Sequence, residues 1–319
     1  MRLGIFSRIV AAMLFVSVGT AGAAQLGGIG GLGDKLKRRA PTSLLQGRAP
    51  ITTSLEDARW GDATKDGFTP REAERSLMTL QRTPNGGFVL QPGYYTMQVQ
   101  SYCLHAGTHG PGGGDGYLYA PPKGSAEDAV MTIVRNSVNR PEIPQRNIQQ
   151  LLWAIIARAK FEDLSGDLKA TAAQLLTPRQ LASLNRSALD ALSGNALTDA
   201  LGGVPEPLRQ IAQAEAQLRQ MLTTPGATFA EMERAAVLAG AAPMGAGSQT
   251  VPSGRWSNHP DGYFVRYIPS GYSSTRIEIW VPQGAPAVGK EFDPATHIAV
   301  PGNTARQRLL QSGRPQTGH

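Results

Sequence analysis

Read from the amino terminus, the apolar positions begin as a run, Ile9 to Val18, behind two arginines, Arg2 and Arg8. Ala21-Gly22-Ala23 follows, so residues 1–23 have the order of a secretory signal peptide: charged region, apolar region, small-residue cleavage site. From 24 to 50 no period is sustained, and the segment reads as a flexible Gly-rich, basic arm. Pro70 to Leu80 reads as a short helix capped by Thr69. Phe88 to Leu104 is rich in β-branched and aromatic residues around Pro92-Gly93, which predicts two strands. Tyr95, Met97, Val99 and Ser101 then share a face, with Cys103 on that face at the strand's end. Residues 105–124 read as a long Gly/Pro loop.

Helical spacing dominates next. Ser125 is expected to cap a helix to about Asn139, which Pro141 and Pro144 break, and a strongly apolar helix follows from Gln145 to about Leu164. Thr177–Leu192, Glu206–Leu222 and Thr228–Ala239 are further expected helices. The breakers in 241–254 read as a linker. Beyond it, Tyr263–Ile268 and Thr275–Val281 alternate around Pro269-Ser270-Gly271, the pattern of a hairpin with Val265, Tyr267, Ile277, Ile279 and Val281 on one face. Thr304 to Gln311 reads as a short helix. The sum is an α+β protein: a central strand-plus-helix domain over 51–240 with a helical segment, then a small carboxy-terminal β-hairpin module over 255–319.

Composition narrows this picture. The chain is 41% hydrophobic with 37 glycines and 23 prolines in 319 residues, enough apolar content for a core and no strict glycine period. That excludes a fully disordered chain and a collagen. Removing 1–23 leaves about 296 residues and lowers the formal charge from +7 to about +5. So mild an excess, with no matching motif, points away from nucleic acid. Lys35, Lys37, Arg38 and Arg39 concentrate part of it in the arm. No segment after the signal is long and apolar enough to span a bilayer, so the expected location is secreted, periplasmic or at the cell surface.

One cysteine excludes an internal disulfide and leaves Cys103 as a buried small hydrophobe, a thiol for intermolecular pairing, or a reactive group. His105 and His109 follow it in a glycine-rich loop and are candidate bases, as is His259. A base that generates thiolate would make Cys103 a hydrolytic nucleophile. Cys103, His105, His109 and Asp115 are also of zinc-ligand type, but their spacing matches no zinc motif, and no cofactor or phosphate-loop motif is present. On the helix from Gln145, Gln149 shares a stripe with Trp153 and Ile156. A glutamine there is costly to bury without partners. Either it sits at the edge of the buried face and bonds a loop carbonyl, or its side chain meets Cys103.

Tyr102-Cys103-Leu104 and Ile148-Gln149-Gln150-Leu151-Leu152-Trp153 resemble the two signature motifs of the thioester domains of bacterial surface adhesins. The resemblance implies that an aromatic-Cys-apolar triplet at a strand end and an apolar-Gln-x-x-apolar-Trp stretch on a helix bring Cys103 and Gln149 together. Loss of ammonia then joins them as an internal thioester. It further implies that an amine on a surface protein or polysaccharide attacks this electrophile and remains attached to Gln149 as an amide, a single turnover of adhesion chemistry rather than catalysis. The expectation is therefore an exported cell-envelope or secreted interaction protein. The alternatives are a Cys/His-dependent periplasmic hydrolase or transferase, and a structural envelope protein with an inert Cys103.

Overall fold

A computed structural model of the chain describes residues 49–316 apart from 60, 62, 190–200, 203, 205 and 207. The signal expected at 1–23, and the arm up to residue 48, lie outside the described residues. The strands are β1 (Glu74–Ser76), β2 (Phe88–Val89), β3 (Gly93–Cys103), β4 (Thr108–His109), β5 (Tyr117–Ala120), β6 (Val237–Leu238), β7 (Ser257–Asn258), β8 (Phe264–Pro269), β9 (Ser274–Val281), β10 (Glu291–Phe292), β11 (Ile298–Pro301) and β12 (Leu309–Pro315). The helices are α1 (Glu127–Ser137), α2 (Gln145–Ile156), α3 (Gly166–Leu175), α4 (Pro178–Arg186), α5 (Leu208–Thr223) and α6 (Phe229–Ala236).

The expected α+β class is what the chain adopts. One sheet runs β5-β11-β12-β3-β9-β8-β7, with β1 parallel to β3. It curls until its two ends meet, where the Tyr119 amide of β5 donates to Ser257 Oγ of β7 at 2.9 Å. The alternation read in the hairpin holds: Val265, Tyr267, Ile277, Ile279 and Val281 all pack into one cluster with Tyr95, Met97, Val99, Phe88 and Phe292. The helices pack a second cluster around Ile148, Leu151, Leu152, Trp153, Ile133 and Leu218. Cys103 joins this second cluster with Tyr102 and Leu104, rather than the Tyr95–Val99 set with which it was expected to share a face.

Four expectations are corrected. Pro70–Leu80 is no α-helix and keeps only a 3-10 turn at Leu77–Thr79: residues 74–76 pair with β3, Thr96 Oγ1 donates to Glu74 Oε1 at 2.8 Å, and Arg75 lies 4.5 Å over the Tyr95 ring. These long-range contacts override good helix formers. The Gly/Pro loop 105–124 contains β5, whose Tyr117, Leu118, Tyr119 and Ala120 are all buried beside β11. Thr304–Gln311 is no helix either, because Leu309 and Leu310 pair with Cys103 and Tyr102. For the same reason 255–319 is no separate module, since β9 and β12 flank β3 in one sheet.

The remaining expected helices begin close to where the sequence placed them, for local reasons. α4 and α6 begin with capping boxes, Thr177 with Gln180 and Thr228 with Glu231. The helix expected to reach Leu164 stops at Ile156, because Arg158 has φ +54° and cannot continue a right-handed helix. Gly107, at φ +70°, lets the loop after Cys103 press on α5; a Cβ there would lie 2.9 Å from Ala214 Cβ.

A stacked group of rings closes one end of the curled sheet. His259 lies 4.3 Å from the Tyr263 ring and 5.1 Å from the His297 ring, and Tyr263 Oη is hydrogen-bonded to His297 Nε2 at 2.6 Å. Burial holds both imidazoles neutral, pushing His259 down to about 4 and His297 down to about 3. The unfolded chain titrates them near 6.5, so this contribution is complete above that pH. It drains as pH falls toward the folded values, because the unfolded state then binds protons that the folded state refuses. The expected loss at pH 5 is about 2 kcal/mol for the fully buried His297 and less for the partly exposed His259. Urea midpoints at pH 7 and pH 5 measure it, and His259→Phe, which keeps the stack, should remove the smaller part of the difference.

Candidate functional site

Strand β3 outruns its neighbour. β9 pairs with it from Gly93 to Gln100, and the Ser101 amide still donates to the Ser273 carbonyl at 3.0 Å. Beyond that point the edge of β3 would be left with unpaired backbone groups. Two side chains of α2, one turn apart, take the place of the missing strand. Gln145 Nε2 donates to the carbonyl oxygens of Ser101 at 3.2 Å and Ser273 at 2.7 Å. Gln149 Oε1 accepts from the Cys103 amide at 2.9 Å, and Gln149 Nε2 donates to the Cys103 carbonyl at 3.0 Å. The carboxamide of Gln149 thus pairs with Cys103 as a strand residue would. The contact is made to the backbone of Cys103, and the thiol itself is hydrogen-bonded elsewhere, to Gln307.

The Cys103 thiol is fully buried. It donates to Gln307 Oε1, and the His105 carbonyl lies 3.7 Å from Sγ. Gln307 is itself fixed, since its Nε2 donates to the carbonyl oxygens of Thr108 and Ala236, both at 3.0 Å. The Trp153 indole N–H, one turn beyond Gln149, faces the thiol without completing a hydrogen bond. Burial pushes the thiol up to about 11, outweighing the opposite pull of Trp153 and the His105 backbone. Cys103 is therefore a neutral thiol at pH 7, which is the weak form for attack on an external substrate.

The histidines are not brought to it as bases. The His105 ring is buried, its Nδ1 has no hydrogen-bond partner, and burial followed by the Arg308 charge lowers its pKa well below the usual imidazole value. Only its backbone carbonyl meets Sγ. His109 is half-buried in β4, where its amide donates to Ala305 and its carbonyl accepts from Gln307. His259 belongs to the ring stack described above. Asp115 is a turn residue, accepting from the Gly112 amide at 3.0 Å and pairing with Arg306. Among the described residues, no group of three or more His, Cys, Asp or Glu side chains is arranged to hold a metal ion.

Gln149 also has an outer side. A cleft of about 600 Å³ opens between α2, the β8–β9 turn and the end of β12, and Gln149, Gln145, Tyr272, Phe229, Arg146 and Arg314 are among its lining residues. Phe229 stacks on Trp153 with centroids 5.5 Å apart, so the cleft wall continues into the packing around Cys103. Tyr272 Oη donates to Glu233 on α6 and lies close enough to Cys103 for the two to influence each other electrostatically. The site is therefore a buried thiol, a clamped and buried carboxamide beside it, and an open cleft that leads to that carboxamide. The sequence did not mark Gln307, a loop polar residue 204 positions from Cys103, and no periodicity or spacing could have found it.

Comparison with protein-family models, with curated proteins and with solved structures finds no match to this chain. No described helix is long and apolar enough to cross a membrane.

Proposed function

We propose that the chain is an exported cell-envelope or secreted interaction protein that joins Cys103 to Gln149 as an internal thioester and attaches through it to an amine on a surface partner. The observation that carries this reading is the placement of the Gln149 carboxamide, hydrogen-bonded to Cys103 on one side and lining an open cleft on the other. In the condensation, Sγ attacks Gln149 Cδ, the C–N bond breaks, and the thiol proton leaves with the departing amide nitrogen as ammonia. The Cys103 N–H is already aimed at Gln149 Oε1, where negative charge gathers as the carbonyl carbon becomes tetrahedral. A dry surround then protects the thioester from hydrolysis. The pattern of residues 1–23 supports export.

A second reading draws on the same two hydrogen bonds: Gln149 only closes the edge of β3, and Cys103 is inert. Methylamine separates the two. The thioester reading expects it to add about 31 Da to the condensed protein, to place the modification on Gln149 and to free one titratable thiol at Cys103. Unmodified Gln149 after prolonged exposure contradicts that reading and leaves the structural one. His109→Gln should not alter the adduct, because His109 takes no part in the chemistry.

A further inference from the structure

This inference rests on the thioester proposed above and concerns which amines reach it. Among the described residues, the cleft over Gln149 is lined by two arginines, Arg146 and Arg314, and by no carboxylate, with Glu233 held behind the Tyr272 hydroxyl. Arg314 is only 7% exposed. Its Nη2 donates to the carbonyl oxygens of Pro141 at 3.2 Å and Ile143 at 3.0 Å, while its Nη1 is buried with no hydrogen-bond partner. Both of those acceptors are neutral, so the guanidinium keeps an uncompensated charge, a costly arrangement at so buried a position. In the same wall Gln316 Oε1 is buried without a donor. Arg146 stands exposed at the rim, on the first turn of α2.

A cation without a counter-ion beside an acceptor without a donor is the complement of a molecule that carries both an anionic group and an N–H. We propose that the cleft selects amines bearing a nearby carboxylate, the arrangement of an amino acid, over neutral or cationic amines. The carboxylate sits in the field of Arg314 and Arg146 while the amine faces Gln149. The amine nitrogen then attacks Gln149 Cδ, the C–S bond breaks, an amide forms, and the proton lost by the nitrogen ends on Cys103 Sγ. An arginine pair with no acid in the lining attracts such a nucleophile and repels a diamine.

The test compares β-alanine, methylamine and ethylenediamine as nucleophiles toward the intact protein, with adducts at Gln149 followed by mass. Each rate is divided by that of the same amine with a simple alkyl thioester in solution, which removes differences in intrinsic nucleophilicity. The expected result is that β-alanine exceeds ethylenediamine by about tenfold at low salt, the scale on which a cleft of one sign concentrates its counter-charge. That ratio should shrink when salt is raised and in Arg146→Gln, an exposed position on the first turn of α2. Arg314→Gln should shrink it further, although loss of the bonds to Pro141 and Ile143 also weakens the fold. If methylamine adds but β-alanine gains nothing over ethylenediamine, the selectivity is wrong and the thioester stands. A preference that survives both high salt and Arg146→Gln also overturns it. If no amine adds, both the selectivity and the thioester fail.

Discussion

Gln149→Ala should lower stability by about 3 kcal/mol or more, because it strips partners from two backbone groups in a dry place. The Cys103 amide and carbonyl both lose their only side-chain partner at the edge of β3, and Gln149 is 2% exposed, so water cannot replace it cheaply. That figure is for the uncondensed chain; in a condensed wild type Nε2 has left as ammonia and its bond to the Cys103 carbonyl with it, so the cost there is the loss of the covalent constraint and of the acceptor for the Cys103 amide. Gln149→Glu separates shape from hydrogen bonding. At pH 7 it should be nearly as damaging, since a carboxylate oxygen would face the Cys103 carbonyl and a charge would be buried. A carboxylic acid, however, can accept from the amide and donate to the carbonyl as the glutamine does. Burial raises the folded pKa of such a glutamate above its unfolded value, so the deficit relative to wild type should narrow as pH falls through that folded pKa. Urea unfolding of the three proteins at pH 7 and pH 5 gives the answer. A cost below about 1 kcal/mol for Gln149→Ala would mean that the strand edge does not depend on this side chain.

Trp153→Ala is the second large effect, about 3 to 5 kcal/mol, the range for deleting a buried indole. Trp153 is fully buried, stacks on Phe229 at an interplanar angle of 25° and turns its N–H toward the Cys103 thiol. Its removal leaves a void between the thiol and the cleft. Water entering there should hydrolyse a thioester, leaving Glu at 149 and a free thiol, so this variant should be isolated about 1 Da heavier than the uncondensed chain. Trp153→Phe preserves most of the apolar volume and should keep the link. Denaturant melts together with intact mass measure both effects, and a Trp153→Ala protein as stable as wild type would remove the packing role assigned to this ring.

The two halves of the candidate site were legible because their signals are local. Cys103 is the single cysteine at the end of an alternating strand, and Gln149 is a polar residue on an apolar helical stripe. What the sequence hid is set by pairing over long separations. Tyr117–Ala120 is buried on both faces and only four residues long, so it lacks the alternation that reveals a half-buried strand. Leu309 and Leu310 sit next to each other among good helix formers, and pairing with Ala299 and Ile298 on one side and with Cys103 and Tyr102, about 200 residues earlier, on the other makes them a strand. Gln307, which receives the thiol hydrogen bond, comes from that same misread segment, and Arg314, which charges the cleft, lies just beyond it on the same strand. In the glycine-rich stretch after Cys103, which also holds β4 and β5, Gly107 serves packing against α5.

The most direct measurement is the intact mass of the purified protein in its native state, before any nucleophile is added. A thioester between Cys103 and Gln149 predicts a mass about 17 Da below that of the processed chain, with no titratable thiol until an amine or water opens the bond. Cys103→Ala should abolish the deficit. A full uncondensed mass, with one thiol titrating as soon as the protein is unfolded, would contradict the account and leave Gln149 as a closure for the edge of β3 alone.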